Sequence, residues 1–402
     1  MTTGIVNGKE KPTVLTLSGG LSQNEGDLLF QGEIASVGKS EIIERGFYWS
    51  MVSNDPGIND SIVVVLPDAT SDIFVYEFPG ASGEKTYYWR AYAKNSYGYD
   101  YGKVDSCQTP KIWIKKNSLS PIERGQGVIF VIDDKIYMTC GKYVTGSALV
   151  NETWEYNIAN NTWNQMEYFS GDYRIYPVTF TIGNSAFVGT GWRASGVAFN
   201  DFYRYDNTSN LWTAIATPDN LEARYKAVAF SLNGKGYLVG GLSLRSGALK
   251  DVWQYNVKDS SWQRKNDFPV SFSGGINICG NNRVFAGFGE ASESARILWE
   301  YNEGTDRWNE FSVLPDTVGK IIYSGVIVGN FIYIVDENNV IWTCNTSGTK
   351  TWTKKTDLPS AFLNNDGKGG NQTLLTTGDS NSVYVGLGFT KLLYEYRPLW
   401  DN

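Results

Sequence analysis

Three arginines spaced 50 residues apart form the pattern in this chain that best suits chemistry: Arg124, Arg174 and Arg224. A guanidinium group presents a planar fork of N–H donors that matches the oxygens of a carboxylate or a phosphate. Equal spacing puts the three arginines at one position of a repeating unit, so their side chains should gather on one side of the fold. The pattern therefore predicts an anion-recognising pocket.

Aromatic and basic residues from nearby segments could form the walls of that pocket. Trp and Tyr side chains offer flat faces against which sugar rings can stack. The candidate wall residues are Tyr143, Tyr173, Trp192, Arg193 and Arg245. The arginine spacing also has a second interpretation, in which each guanidinium bonds carbonyl groups of neighbouring loops and only stabilises the fold. The sequence leaves both interpretations open.

The chain contains no histidine, and this restricts the reactions that it can catalyse. Histidine is the commonest transition-metal ligand and the commonest general base near neutral pH. Its absence excludes Ser-His-Asp and Cys-His catalysis and argues against zinc, copper and non-haem iron sites. The four cysteines lack metal-like spacing, and we expect buried free thiols: Cys107, Cys140, Cys279 and Cys344. We predict no metal and no other cofactor.

The charge of the chain argues against nucleic-acid binding. The formal net charge is −7, the pI is about 5.0, and no basic run is present. Nucleic-acid binding usually needs a basic patch, because neutralising phosphates supplies most of the affinity. The glycine-rich runs GKGYLVGG and GKGGN precede no helix, so they do not form a phosphate loop.

Aromatic residues recur at intervals of roughly 40–50 residues through the last three-quarters of the chain, a period typical of propeller blades. Each full copy has a Trp or Tyr, a Tyr or Cys two positions later, and then a Trp. The five full copies are Trp154-Tyr156-Trp163, Tyr203-Tyr205-Trp212, Trp253-Tyr255-Trp262, Trp299-Tyr301-Trp308 and Trp342-Cys344-Trp352. A sixth copy has Tyr394 and Tyr396 but no later Trp. Trp113, one period ahead of Trp163, is the expected partner.

A second pattern runs in phase with the first. Each unit has a hydrophobic strand centred on an aromatic residue: Tyr137, Phe187, Tyr237, Phe285, Tyr333 and Tyr384. Four positions later there is a glycine in every unit except the fifth, which has Glu337: Gly141, Gly191, Gly241, Gly289 and Gly388. Glycine at that place allows a sharp turn or a close approach of the backbone.

The repeats resemble the kelch family, including the central domain of galactose oxidase. The third unit carries the clearest pattern, with Tyr237-Leu238-Val239-Gly240-Gly241 followed by Trp253, Tyr255 and Trp262. The resemblance covers Lys111 to Asn402 and implies a six-bladed β-propeller. The segment Ile112–Lys116 should supply the outermost strand of the last blade, beside Tyr394 and Tyr396. The copper site of galactose oxidase requires two His and two Tyr, and this chain cannot supply that set.

The first hundred residues form a different unit of short alternating strands. Runs such as LLFQGEIA, ERGFYWS and KTYYWRAYAKN are separated by turns rich in Gly, Asn and Ser, as in an immunoglobulin-like sandwich. The stretch from Phe78 to Gly98 is similar to the last strands of fibronectin type III domains. With Glu44-Arg45-Gly46-Phe47 it resembles a variant common in surface proteins of Bacteroidetes.

The sequence thus predicts an all-β chain with a flexible segment at 1–10, an immunoglobulin/fibronectin III-like domain at 11–109 and a six-bladed propeller at 110–402. No apolar run reaches the ~20 residues that span a bilayer, and the N-terminus does not resemble a signal peptide. The resemblance of the first domain implies an extracellular, cell-surface or periplasmic location, with a leader or lipid anchor removed. A cytoplasmic location is the alternative.

The predicted blades place the candidate residues at one end of the propeller. Four long loops join the second and third strands of a blade: Lys142–Asn151, Trp192–Asn200, Leu242–Lys250 and Glu290–Arg296. They share a face with the connections between blades, where the three arginines lie. Gly274, Lys320 and Lys368 lie near the corresponding places in the later blades and form a less regular set. Binding sites commonly lie on such loop-rich faces.

Three classes of function remain. The first is a non-catalytic, monomeric binding protein that recognises a glycan or a protein through the loop-rich face. The second is a structural scaffold of a surface assembly. The third is an enzyme similar to the six-bladed sialic acid mutarotases, with Glu123, Glu222 or Glu293 as acid or base. Propeller folds host many unrelated activities, so the fold alone does not decide.

Overall fold

The computed structural model describes residues 10–65, 71–119, 123–146, 148–193, 195–290, 295–362, 382–387 and 390–401, and the backbone of 374–377. The chain forms two compact units. The first comprises Met1–Ile112 together with Arg397–Asn402, and the second comprises Trp113–Tyr396. The sequence placed the boundary at 109/110 and assigned the last six residues to the second unit. The structure instead groups these six residues with the first unit.

The described residues of the first unit, 10–65 and 71–112, form eight strands in two antiparallel sheets, of three and five strands. The orders are β1-β2-β5 and β4-β3-β6-β7, with β8 also paired to β6. The strands are β1 Thr13–Leu21, β2 Leu28–Ser36, β3 Glu44–Ser50, β4 Ser61–Val65, β5 Ile73–Phe78, β6 Thr86–Asn95, β7 Gly98–Tyr101 and β8 Asp105–Gln108.

The core of the first unit follows from the alternation of apolar and polar residues along its strands. In β2, Leu28, Phe30 and Ile34 are buried, and in β6 the buried row includes Trp89 and Ala91. The ring of Phe30 stacks on Trp89 with a centroid distance of 4.6 Å. One face of each sheet therefore packs into a shared apolar cluster.

A residue from the end of the chain completes this cluster. Trp400, in the short 3-10 helix Pro398–Trp400, is 3% exposed and belongs to the apolar cluster of the first unit. The Trp400 carbonyl accepts a hydrogen bond from the Gly83 amide at 2.6 Å, and the Arg397 amide donates to the Ile112 carbonyl at 3.0 Å. The final residues thus belong to the fold of the first unit.

The second unit is built from short antiparallel strands. Its strands are β9 Trp113–Lys115, β10 Arg124–Gly125, β11 Val128–Ile132, β12 Lys135–Thr139, β13 Lys142–Tyr143, β14 Thr153–Asn157, β15 Thr162–Met166, β16 Val178–Ile182, β17 Ser185–Gly189, β18 Trp192–Arg193, β19 Val197–Ala198, β20 Phe202–Asp206, β21 Leu211–Ile215, β22 Val228–Leu232, β23 Lys235–Ser243, β24 Gly247–Asn256, β25 Ser261–Lys265, β26 Ile276–Gly280, β27 Arg283–Gly287, β28 Ile297–Asn302, β29 Arg307–Val313, β30 Ile322–Val328, β31 Phe331–Asp336, β32 Val340–Asn345, β33 Trp352–Asp357, β34 Leu374–Thr377, β35 Val383–Gly386 and β36 Leu393–Tyr396. A 3-10 helix spans Ser360–Phe362.

Within the described ranges, 24 of these strands form six four-stranded sheets, and β10-β13 and β18-β19 form two two-stranded sheets. The orders are β11-β12-β14-β15, β16-β17-β20-β21, β22-β23-β24-β25, β26-β27-β28-β29, β30-β31-β32-β33 and β34-β35-β36-β9. The last sheet takes its outer strand from the start of the unit, because Trp113 pairs with Tyr396 and Lys115 pairs with Tyr394. This confirms the closing strand predicted from the displaced Trp113. The small antiparallel sheets are consistent with a kelch-type β-propeller.

The repeated aromatics pair across strands of one sheet. Tyr156 faces Trp163 and Tyr205 faces Trp212, and their ring centroids lie 5.0 and 4.9 Å apart. The indole N–H of Trp212 also donates to the Glu167 carbonyl, which follows the outer strand of the preceding sheet. The apolar clusters accordingly lie between neighbouring sheets, as in the cluster that joins Phe130 to Trp212. A single sheet could not bury these faces alone.

The chain has no described helix that is long and apolar enough to cross a membrane. Of the four cysteines, Cys140 and Cys344 are buried, whereas Cys107 and Cys279 are half-buried, and all four are free thiols. Burial raises the pKa of the Cys140 thiol to about 11, because the thiolate would lose its solvation.

Replacing Trp400 by Ala should unfold the first unit selectively. The change removes a buried indole and leaves a cavity, which typically costs about 3–5 kcal/mol. In native-state hydrogen exchange, amides of β2 and β6 should lose protection while amides of β22–β25 keep it. Tyr97→Ala, at an exposed aromatic residue of the same unit, is the control. Unchanged protection in β2 and β6 of the Trp400 variant would contradict this role.

Candidate functional site

The connections between successive sheets lie against the loops that join the second and third strands. Arg124 pairs with Tyr143, Ile175 bridges to Trp192, and Tyr225 bridges to Leu242. The two sets of segments therefore occupy the same end of the sheets, as the sequence predicted. The predicted loop Leu242–Lys250 is largely an extension of the hairpin β23–β24, and residues 147, 194 and 291–294 of the other loops lie outside the described ranges.

The three equally spaced arginines are buried, with at most 2% of each residue exposed. Arg174 donates to the Asp172 and Thr190 carbonyls at 2.9 and 3.0 Å, and its Nη2 lies 2.9 Å from Asp201 Oδ2. Arg224 repeats the pattern with the Glu222 and Gly240 carbonyls and the carboxylate of Asp251. Arg124 donates to the Glu152 carbonyl at 3.1 Å and lies 3.7 Å from the Glu152 carboxylate.

These contacts favour the structural interpretation of the three arginines. Their forks are engaged by acceptors of the same repeat, and the aromatic ring of Phe199 lies 4.2 Å from the guanidinium carbon of Arg174. Burial alone would raise the pKa of Asp251, but the hydrogen bonds and charge of Arg224 outweigh it and hold that pKa below its usual range. We therefore leave Arg124, Arg174 and Arg224 out of the proposed binding site.

The residue two positions after each arginine adopts a left-handed backbone conformation. Gln126, Tyr176 and Lys226 have φ values of 61°, 54° and 52°, and Gly274 holds the corresponding place in the next repeat with φ 65°. This conformation costs an L-residue roughly 1–2 kcal/mol, and strained residues of this kind cluster at functional sites. The conformation also recurs at other turns of the repeats, for example at Cys140 and Thr190, so it belongs to the repeat and does not by itself identify a site.

The side chains of these residues contact one another. The Gln126 amide donates a hydrogen bond to the hydroxyl of Tyr176. Lys226 Nζ lies 5.5 Å from the centroid of the Tyr176 ring and 2.6 Å from Glu290 Oε1. Gly274 leaves room for that carboxylate, because a Cβ there would lie 2.6 Å from Glu290 Cδ. A continuous polar band therefore crosses the connections of four sheets.

The band borders a cavity of about 440 Å³, called the mouth cavity below. Its polar lining includes Gln126, Tyr176, Lys226, Glu290, Lys320 and Tyr323. A second cavity of about 420 Å³, lined by β11, β16, β22, β26 and β30, shares Gly127, Pro177 and Tyr323 with it. The mouth cavity therefore lies where the first strands of these sheets begin.

The mouth cavity has Lys226, Lys320 and Glu290 in its lining, and the Glu337 carboxylate accepts a hydrogen bond from the Lys320 amide at 2.7 Å. Lys226 is neutralised by Glu290, whereas the Lys320 ammonium forms no ion pair with any described residue. Burial raises the pKa of Tyr176 although Lys226 opposes it, and burial also raises the pKa of Tyr323, so both phenols stay neutral hydrogen-bonding groups. Within the described ranges, the Oε1 atom of Gln126 is buried without a partner. These side chains therefore offer one unpaired positive charge and neutral polar groups.

The predicted wall residues lie on the loops beside the connections and do not line the mouth cavity. Trp192 stacks on Tyr225 with a centroid distance of 5.9 Å, and Arg193 lies 3.9 Å from Asp172. Tyr173 and Arg245 are exposed. The Tyr143 hydroxyl donates to Glu152 at 2.8 Å; burial and this bond raise the Tyr143 pKa to about 12.

The other sequence candidates also lie apart from this cavity. Glu123 is exposed, and hydrogen bonds from Ser243 and Ser246 lower the pKa of Glu222. Glu293 and Lys368 lie outside the described residues. Of the earlier candidates, Gly274 and Lys320 contribute to the mouth cavity. Sequence reasoning missed Gln126, Tyr176, Lys226 and Glu290, although the first three repeat at the arginine spacing of 50 residues.

Replacing Arg224 by Ala should destabilise the second unit strongly. Removing one partner of a buried ion pair typically costs about 3–5 kcal/mol, because the other charge loses its compensation. Arg245→Ala, which truncates an exposed arginine of the same repeat, should change stability by no more than about 0.5 kcal/mol. Denaturant unfolding monitored by tryptophan fluorescence measures both. If Arg224→Ala left the free energy of unfolding nearly unchanged, the structural role would be contradicted and Arg224 would again be a ligand-binding candidate.

Replacing Gly274 by Ala should break the pair of Lys226 and Glu290. The new methyl group would occupy the place of the Glu290 side chain, so the distance from Lys226 Nζ to Glu290 should exceed 4 Å in a crystal structure of the variant. Gly247→Ala is the matched control, because Gly247 has φ 74° and no neighbour within 4 Å of the added Cβ. An intact Lys226–Glu290 pair in the Gly274 variant would refute the proposed reason for glycine there.

Comparison with known proteins agrees with the kelch pattern. The family described as the KLHDC2/KLHL20/DRC7 Kelch-repeats domain matches residues 129–335, just over half of the chain. The solved structure titled "Structure of YjhT" superposes with a TM-score of 0.54 and 15% identity, covering 69% of this chain and 95% of that one. At this identity the likeness shows the fold alone, a kelch-type β-propeller.

Three proteins with different names are similar in sequence to this chain. N-(sulfonatooxy)prop-2-enimidothioate sulfolyase of Thlaspi arvense is 26% identical over 49% of this chain. Kelch-like protein 25 of Xenopus tropicalis is 20% identical over 56%, and N-acetylneuraminate epimerase of Pasteurella multocida strain Pm70 is 24% identical over 64%. The chain spans 66%, 40% and 66% of the lengths of these three proteins. The match across the repeats shows that this chain belongs to the KLHDC2/KLHL20/DRC7 Kelch-repeat family.

Proposed function

We propose that this protein is an extracytoplasmic binding protein that recognises an acidic glycan at the mouth cavity of a six-bladed propeller. The observation that carries the proposal is the band of contacting polar side chains around that cavity. Gln126 bonds to Tyr176, and Lys226 lies over the Tyr176 ring and pairs with Glu290 at the same cavity. A cavity with a few converging polar groups is typical of small-ligand sites.

The size and chemistry of the mouth cavity support a small polar ligand. Its volume of about 440 Å³ lies within the range of small-molecule pockets, about 300–1,000 Å³. The Tyr176 and Tyr323 hydroxyls and the Gln126 amide can bond sugar hydroxyls, and the Lys320 ammonium can bind a carboxylate or sulfate. The sequence assigned anion recognition to the arginines. Under this proposal, lysines of the same connections bind the anion instead.

The first unit supports the extracytoplasmic part of the proposal. Its two antiparallel sheets of three and five strands agree with an immunoglobulin/fibronectin III-like sandwich, which the sequence predicts on its resemblance to surface proteins of Bacteroidetes. Such a domain serves as a spacer or attachment module. Under this proposal it presents the propeller at the cell surface or in the periplasm.

A scaffold or protein-binding role is the second candidate. Kelch domains commonly mediate protein binding, and Kelch-like protein 25 is among the relatives. The loop residues Tyr173 and Arg245 are exposed and Arg193 is half-buried; all three lie beside the connections and favour a protein surface as partner. This role would use the loop face and leave the mouth cavity without a specific ligand.

An enzymatic role is the third candidate, and one observation favours it. The mouth cavity holds a carboxylate, an ammonium group and a phenol within one band, namely Glu290, Lys226 and Tyr176. These groups can transfer protons without histidine or metal. The similarity to an N-acetylneuraminate epimerase suggests an acidic sugar as substrate. Under this alternative Glu290 replaces Glu123, Glu222 and Glu293 as the acid or base.

Replacing Lys320 by Met should weaken the binding of acidic glycans about tenfold, since a charged hydrogen bond contributes about 1.5–3 kcal/mol. A glycan array of sialylated, uronic-acid-containing, sulfated and neutral glycans identifies the ligand, and calorimetry on the best ligand compares the variants. Arg245→Met, at an exposed cation of the loop face, is the control and should bind as the unmodified protein does.

The outcomes of these experiments distinguish the binding, scaffold and enzyme roles. Absence of binding to every glycan would refute the proposal and favour the scaffold. Equal losses in the Lys320 and Arg245 variants would place the ligand on the loop face. Catalysed anomer exchange of N-acetylneuraminate, followed by NMR and abolished in Glu290→Gln, would establish the enzyme instead.

A further inference from the structure

Two aromatic rings lie beside the mouth cavity without lining it. Trp192, in the hairpin β18–β19, stacks on Tyr225 with a centroid distance of 5.9 Å and an angle of 29° between the rings. An offset, nearly parallel arrangement of this kind joins two rings into one aromatic surface. Both residues are half-buried, so each keeps part of its surface open to solvent. The pair is called the aromatic platform below.

The backbone connects this platform directly to the lining of the mouth cavity. Tyr225 immediately precedes Lys226, which lines the cavity. Trp192 pairs with Ile175 through two backbone hydrogen bonds of 2.8 and 2.9 Å, and Ile175 immediately precedes Tyr176, another lining residue. Successive Cα atoms lie only about 3.8 Å apart. A ligand that extends from the cavity toward the β18–β19 hairpin therefore meets the platform.

The platform is not part of the repeat pattern. The corresponding residues are Lys142 and Ile175 in the preceding repeat, and Leu242 and Ser273 in the following one. At those two junctions the fold closes without stacked rings. By contrast, the aromatic residues that close the sheets recur in each full copy of the repeat. The platform therefore gives one sector of the loop face a surface that its neighbours lack.

The charges beside the platform favour a neutral partner. The residue after each ring is a cation that a carboxylate offsets: Arg193 lies 3.9 Å from Asp172, and Lys226 lies 2.6 Å from Glu290. The rings themselves are uncharged, and the negatively polarised face of an aromatic ring attracts the C–H groups of a sugar. An uncharged sugar ring fits this surface better than an anion does.

We propose that the aromatic platform is a second sugar subsite, which binds the neutral sugar joined to the acidic sugar in the mouth cavity. The inference rests on the proposed function, because it takes the acidic sugar at Lys320 as its starting point. The neutral sugar lays its C–H face on Trp192 and Tyr225. The ligand is then an oligosaccharide of at least two units, and a free acidic monosaccharide fills only one of the two subsites.

Calorimetric titration of the intact chain with four probes tests the second subsite. The probes are N-acetylneuraminate, D-glucuronate and the two disaccharides in which each of these is joined to galactose. Each disaccharide that binds should do so at least about fivefold more tightly than its acidic monosaccharide, because the second ring buries further aromatic surface. Trp192→Ala should remove this advantage, so that disaccharide and monosaccharide bind with similar affinity.

Two further variants make the test specific. Trp192→Phe retains a flat ring and should keep part of the disaccharide advantage, which separates the effect of stacking from that of folding. Tyr168→Ala is the matched control, because it truncates an aromatic residue of the second unit that is 48% exposed, and it should keep the full advantage. Circular dichroism of each variant shows whether it is folded.

The outcomes separate this inference from the proposed function. Equal affinities of monosaccharide and disaccharide for the unmodified protein would overturn the second subsite and leave the mouth cavity as a monosaccharide site. A disaccharide advantage that survives Trp192→Ala, or that Tyr168→Ala reduces equally, would also overturn it. If none of the four probes bound, this inference would be refuted, whereas the glycan array decides the proposed function by itself.

Discussion

The buried pairing of arginine side chains with their own repeats is the interaction on which the candidate site depends. Arg174 binds the Thr190 carbonyl, just after the second strand, and Asp201, just before the third strand. Arg224 makes the equivalent bonds to Gly240 and Asp251, which lie within the longer strands β23 and β24. Each guanidinium thereby joins three parts of one sheet at the end where the connections lie. Charge-assisted hydrogen bonds of this kind contribute about 1.5–3 kcal/mol each. This free energy is large enough to hold the residue two positions after the arginine in an unfavourable backbone conformation.

The strained residues follow directly from this attachment. Gln126, Tyr176 and Lys226 lie two positions after a buried arginine, and the left-handed turn at each of them leads into the first strand of the next sheet. Glycine would adopt that turn without strain, as Gly274 does in the fourth repeat. Three larger side chains are present instead, at a cost of roughly 1–2 kcal/mol each. The same conformation recurs at other turns of the repeats, so the proposed binding role depends on the convergence of these side chains at the mouth cavity and not on the strain alone.

Much of the second unit could be predicted from spacing, because the aromatic repeat is a packing requirement. Tyr156 faces Trp163 and Tyr205 faces Trp212, as two residues must when they close the same sheet. The same reasoning predicted that Trp113 would face Tyr396 across the ends of the unit. The role of Trp400 could not be predicted, because a single Trp near the end of the chain has no repeat that assigns it to either unit.

The site was harder to predict than the fold, because spacing gives a residue's place in the chain and not the direction of its side chain. Arg174 and Tyr176 are two residues apart and their positions recur at the same spacing, yet Arg174 is buried in its own repeat and Tyr176 borders the cavity. Guanidinium groups are strong donors, so they bind the nearest buried acceptors before any ligand. Asp201, just before β20, and Asp251, within β24, recur 50 residues apart as the arginines do. Two equally spaced opposite charges indicate an internal ion pair, and a side chain that varies from repeat to repeat indicates specificity.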